Sequence, residues 1–145
     1  MRAKLHKSEV MMVDRSAIKQ KRLVYLLIAS KRIKYLFAKS GIVYIGSTAK
    51  GIRRVAASAA YNAKWILEAY GTRKFAARVV TCPGVPGLPI WKVLESDLLL
   101  TFHAQFGELP ALNKLRPKSL SGRFPAAQLM GILTELSRAT ARRGP

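Results

Sequence analysis

The run Ile42-Val43-Tyr44-Ile45, closed by Gly46-Ser47-Thr48 and followed by an alanine-rich segment from Ile52, constrains this chain more than any other stretch. β-Branched and aromatic residues favour an extended strand. Glycine and small hydroxyl residues break it, and alanine favours the helix that follows. A tyrosine is thereby carried to a strand-to-helix junction, and Arg53 and Arg54 stand near the start of the helix. Residues 33–38 are a second extended run. Lys39-Ser40-Gly41 between the two is a short glycine-containing loop of the kind hairpins use. In that register Tyr35 and Tyr44 come from adjacent strands and approach each other across the pair.

The remaining chain alternates in the same way. Residues 1–13 read as a loose basic arm. Asp14 or Ser16 can cap a helix reaching Ser30, with Ile18, Val24, Tyr25, Leu27 and Ile28 as its apolar face; residues 24–29 read alternatively as a strand. A helix is expected over residues 52–70 with Gly71 as its stop, and a third strand over 75–81. The proline- and glycine-rich residues 83–89 form a loop. Residues 91–106 are an amphipathic helix closed by Gly107, 109–113 a short extended segment, 117–124 a basic linker, and 125–140 a last helix. Arg138, Arg142 and Arg143 crowd the end of that helix, where cations favour the dipole. The expected fold is α/β of the α+β type, a small, mainly antiparallel three-stranded sheet flanked by helices. Its parts are a basic arm and helix (1–31), a core (32–116), and a linker with a C-terminal helix packed on it (117–145).

Charge narrows the partner. The chain has 26 Lys+Arg against 7 Asp+Glu, a formal net charge of +19, and half of its residues are hydrophobic. The hydrophobic content argues against disorder, and the charge favours a polyanion. Nucleic acid is the leading partner and an anionic membrane surface the second. One cysteine, Cys82, excludes an intrachain disulfide and fits a reducing cytoplasm. No apolar run reaches the roughly 18 residues of a membrane span, and no secretory signal is visible.

A phosphodiester site can be assembled from these parts. Tyr44 has Ser47 and Thr48 beside its tip, and Arg54 follows ten residues later. Helix N-termini and guanidinium groups both stabilise phosphate, and cationic neighbours favour loss of a phenolic proton. Arg53 and Arg54 differ by about 100° around a helix, so one of them faces the site. Glu95, beside the apolar stripe of its helix, is a hard ligand suited to a single Mg²⁺, with Mn²⁺ as a substitute; Asp97 is the competing acid. Asn113 can bind a phosphate oxygen or order the backbone. Lys50, Arg53, Lys64, the arm and the arginine-rich tail hold the nucleic-acid backbone without reading sequence.

Taken together these residues resemble the GIY-YIG nuclease superfamily over about residues 33–113. Tyr44-Ile45-Gly46 matches the second motif. The family's helix arginine, expected ten residues later, selects Arg54, its metal-binding glutamate corresponds to Glu95, and its closing asparagine to Asn113. The first motif is altered to Ile33-Lys34-Tyr35, with Leu23-Val24-Tyr25 a second candidate that would need a longer hairpin. Ser58 stands where many members carry His or Tyr, with Tyr61 a turn further along. The resemblance implies a metal-dependent DNA endonuclease. In it Glu95 holds the cation, Arg54 stabilises the transition state, Tyr44 positions or deprotonates water, and Tyr35 assists. A non-catalytic nucleic-acid-binding scaffold and a basic structural protein on RNA are the rivals.

Overall fold

In the computed structural model of this chain, residues 3–7 and 18–138 are described. Three strands, β1 (Leu23–Lys34), β2 (Lys39–Thr48) and β3 (Phe75–Val80), form one antiparallel sheet in the order β2-β1-β3. Helices α1 (Ile52–Lys64), α2 (Ile90–Phe106) and α3 (Ala126–Arg138) flank it. This is the α+β architecture expected from the sequence.

β1 is central, and that explains its nearly continuous apolar run. A strand covered on both faces has no polar side to alternate with. Val24, Leu26 and Ile28 enter one core with Leu94, Leu98 and Phe102 of α2 and Leu129, Leu133 and Leu136 of α3. Leu23, Tyr25, Leu27 and Ala29 enter a second core with Val55 of α1 and Ile66. The expected helix reaching Ser30 is therefore replaced by the strand alternative. Its capping candidates Asp14 and Ser16 lie outside the described residues, and residues 18–20 have no regular structure. β1 also runs unbroken across residues 31–32, where the arm was separated from the core.

The hairpin is longer than expected. Its turn lies at residues 35–38, where the Tyr35 N–H donates to the Ala38 carbonyl at 2.9 Å, so Lys39-Ser40-Gly41 belongs to β2. Pairing passes from Ile28↔Ile42 to Ile33↔Ser40, so residues 29–32 stand opposite Gly41 alone. A Cβ on Gly41 would meet the Ala29 carbonyl oxygen at 2.8 Å, which makes glycine the residue that fits this irregularity. A second irregularity, from Leu27↔Tyr44 to Ile28↔Ile42, leaves Val43 as an extra residue. Such bulges re-aim side chains. Here Val43 and Tyr44 both lie against the α1-side core.

The helices follow the sequence closely. α1 continues into a π-helical turn, Trp65–Ala69, before Gly71 with φ +61°. α2 ends on Gly107 in the left-handed region (φ +85°), its N–H donating to the His103 carbonyl at 2.8 Å. No helix among the described residues is long and apolar enough to cross a membrane.

Candidate active site

Order β2-β1-β3 leaves β2 at an edge, and side chains from both faces of the sheet meet around that edge. Tyr44 comes from the face that packs on α1. Its register partner on that face is Leu27, and Tyr25, opposite Gly46, lies one pair further along. The Tyr25 and Tyr44 rings have centroids 5.8 Å apart at 44°. Gly46 makes this approach possible. A Cβ there would meet Tyr44 Cε1 at 2.6 Å and Tyr25 Cζ at 2.9 Å.

Tyr44 is surrounded by three other groups, and their effects are visible in its acidity. Its phenol is pushed up to about 12, mainly by burial. Tyr25 and then Glu95 push the same way, while the Arg54 guanidinium pulls back. The expectation that cationic neighbours would make this hydroxyl readily lose its proton is thus reversed. Removing the phenol from water disfavours the phenolate more than one exposed arginine favours it. The same interactions single out Arg54 rather than Arg53 as the neighbour of Tyr44.

Glu95 arrives from the opposite face on α2. The Ser47 hydroxyl donates to its Oε2. Burial holds the Glu95 carboxyl above the usual carboxylate range, with the Ser47 hydrogen bond and Lys92 opposing the shift. Asp97, the competing acid, is excluded by position. It is 1% exposed, and it accepts a hydrogen bond from the Ser121 N–H at 2.9 Å and another from the Ser121 hydroxyl. Asp97 therefore fastens residues 117–124 to α2. Among the described residues no three His, Cys, Asp or Glu side chains cluster as metal ligands. Glu95 alone suits a hard cation that keeps most of its water, and its partial burial leaves charge that such a cation would offset.

Asn113 works on the edge of β2. Its Oδ1 accepts from the Ile45 N–H at 2.9 Å, and its Nδ2 donates to the Ile45 carbonyl at 2.8 Å. The Leu112 N–H adds a bond to the Val43 carbonyl at 2.9 Å. Of the two roles open to Asn113, ordering the backbone is the one its amide performs. It satisfies the polar groups that an edge strand would otherwise leave open.

Tyr35 does not approach Tyr44. It is buried in the other core, edge-on to Phe102 at 5.1 Å. Its hydroxyl donates to the Ile42 carbonyl at 2.6 Å and accepts from the Ala111 N–H at 3.1 Å. Burial holds it protonated. The long hairpin moves Tyr35 into the turn and brings Tyr25, the second candidate, to Tyr44. The sequence signal for Tyr25 was present, but the irregularity that lengthens the hairpin is marked locally only by Gly41, a glycine that reads equally well as part of a hairpin loop. Lys50, Arg53 and Lys64 are exposed on the β2–α1 turn and on α1. Ser58 is 6% exposed and receives the Asn62 side chain, whose Nδ2 donates to the Ser58 carbonyl at 2.9 Å. No family model matches this sequence, and no curated protein or solved structure gives a match.

Proposed function

We propose that this protein is a metal-dependent endonuclease that hydrolyses DNA phosphodiester bonds through a GIY-YIG-type site. The observation that carries the reading is the convergence of Tyr44, Arg54 and Glu95, from three separate segments, on one strand edge of a strongly basic chain. Tyr25 takes the assisting role first given to Tyr35.

Arg54 donates to the non-bridging phosphate oxygens and stabilises charge as it builds in the transition state. The first turn of α1 has no acidic residue and no side-chain cap, so its N–H groups favour the same phosphate, while Arg53, about 100° away around the helix, holds the nucleic-acid backbone beyond it. Tyr44 acts with its proton in place, hydrogen-bonding the attacking water or a phosphate oxygen and fixing its direction. Tyr25 orients Tyr44, and Ser47 orients Glu95. A hydrated Mg²⁺ or Mn²⁺ held by Glu95 would supply Lewis-acid stabilisation of the phosphate and the leaving oxygen. Asn113 and Tyr35 keep β2 in place behind the site.

A non-catalytic nucleic-acid-binding scaffold is the second reading. It is favoured by the buried Ser58 at the position where the family commonly carries His or Tyr, and by the tightly held Tyr44 proton. Plasmid and single-stranded DNA incubated with Mg²⁺, Mn²⁺ or EDTA separate the two. The nuclease reading expects metal-dependent cutting by the wild type and none by Glu95→Ala. Tight binding without cutting under every condition assigns the scaffold instead.

A further inference from the structure

Helix α1 and the π-helical turn that continues it carry two large aromatic side chains that the site does not use. Tyr61 is 81% exposed and Trp65, at the start of the π-helical turn, is 55% exposed. The next residue, Ile66, is fully buried, so this turn anchors itself in the core while it presents Trp65 outward. At 100° per residue, Tyr61 and Trp65 both fall within about 20° of Arg54 around the helix. They stand about 10 and 16 Å from it along the axis, at a rise of 1.5 Å per residue, and about 6 Å from each other. Arg54, Tyr61 and Trp65 thus form one row that begins at Tyr44 and leads away from it. Arg53 and Lys64 are exposed on the same helix.

An exposed pair of aromatic rings is costly to leave in water unless something covers it. On a chain with a net charge of +19, the occupant favoured by charge is a polyanion with flat apolar faces. Unpaired nucleobases offer such faces, whereas the bases of a duplex are already stacked on one another. Proteins that hold single strands combine a cationic track for the backbone with aromatic rings for the bases.

We propose that Tyr61 and Trp65 form a base-stacking platform for a single-stranded segment whose backbone runs on to Arg54. The protein therefore prefers single-stranded or locally melted nucleic acid over intact duplex. This deepens the proposed function and rests on its nucleic-acid half, not on catalysis.

The test is binding in EDTA, so that cleavage plays no part. A labelled oligothymidylate of about 16 nucleotides is titrated against a duplex of the same length at several salt concentrations. Wild type, Tyr61→Ala, Trp65→Ala, the double variant and Lys64→Ala are compared. Each aromatic truncation is expected to weaken single-strand binding about fivefold or more, with the salt slope and duplex affinity unchanged. Lys64→Ala is expected to weaken both ligands alike and to reduce the slope. In a Trp91→Phe background, Trp65 fluorescence is expected to be quenched by the single strand and not by the duplex. A double variant that binds the single strand as wild type does, together with unquenched Trp65 fluorescence in the Trp91→Phe protein, overturns the platform while leaving nucleic-acid binding intact. The same result accompanied by a shift from dimer to monomer assigns the row to contact between copies, and also overturns it. Absence of binding to either ligand overturns the nucleic-acid reading itself, and the platform with it. Failure to cleave touches only the catalytic half.

Discussion

Gly46 is the residue on which the site's geometry turns. Two tyrosine rings occupy the space its side chain would need, and one of them, Tyr25, is fully packed. Gly46→Ala is expected to force the rings apart at a cost of about 1–3 kcal/mol, the range for overpacking, measured by urea denaturation. It should also abolish any cleavage before it unfolds the protein. Tyr35→Phe tests a different role. It leaves the Ile42 carbonyl and the Ala111 N–H without their partner, so about 1–3 kcal/mol of stability should go, with no direct effect on a bound phosphate. The two phenols also set a pH dependence. Tyr35 and Tyr44 are both held above their ordinary value of 10.0, so the native state keeps protons that the unfolded chain releases. Stability must then fall as pH rises past about 10. Denaturation midpoints between pH 9 and 11 should fall less steeply for Tyr44→Phe than for wild type; an equal slope would contradict the assignment.

At the scale of elements, β2 is an edge strand that remains ordered because the segment around Asn113 lies along it. The Asn113 side chain reproduces what a neighbouring strand would do, one donor and one acceptor on the same residue, Ile45. Asn113→Ala should cost about 1–3 kcal/mol and raise amide exchange selectively at Ile45 and Leu112, whose N–H groups this contact protects. Uniform faster exchange across the sheet would point to a global effect instead. The strands also mark where local sequence stops being informative. The helices α1, α2 and α3 were legible because glycine stops and apolar periodicity are local properties. β1 was not, since an apolar run of seven residues at 23–29 fits a helix face as well as a doubly covered strand. Which of the two forms depends on elements that arrive from far along the chain.

Across the whole molecule, one core joins the sheet to the last helix. Leu133 of α3 is completely buried with Leu26, Ile45 and Phe102. Leu133→Ala should therefore cost about 2–5 kcal/mol and lower a single unfolding transition followed by both far-ultraviolet and tyrosine signals. Separate transitions would show that the last helix folds on its own. The sequence by itself determined the α+β class with a three-stranded sheet, the strands β2 and β3, most helix boundaries and the basic character, and it offered the candidates Tyr44, Arg54, Glu95 and Asn113. The elements and the charge follow from side-chain chemistry and short-range periodicity, which need no partner to be read, whereas the choice of Arg54 over Arg53 came from the family resemblance. Only the tertiary structure decided that Tyr25 rather than Tyr35 meets Tyr44, that Asp97 holds a linker, and that Asn113 binds backbone. Each of these depends on register and on burial. A single bulge moves a side chain to the other face of a sheet, and desolvation by distant segments sets whether a hydroxyl keeps its proton.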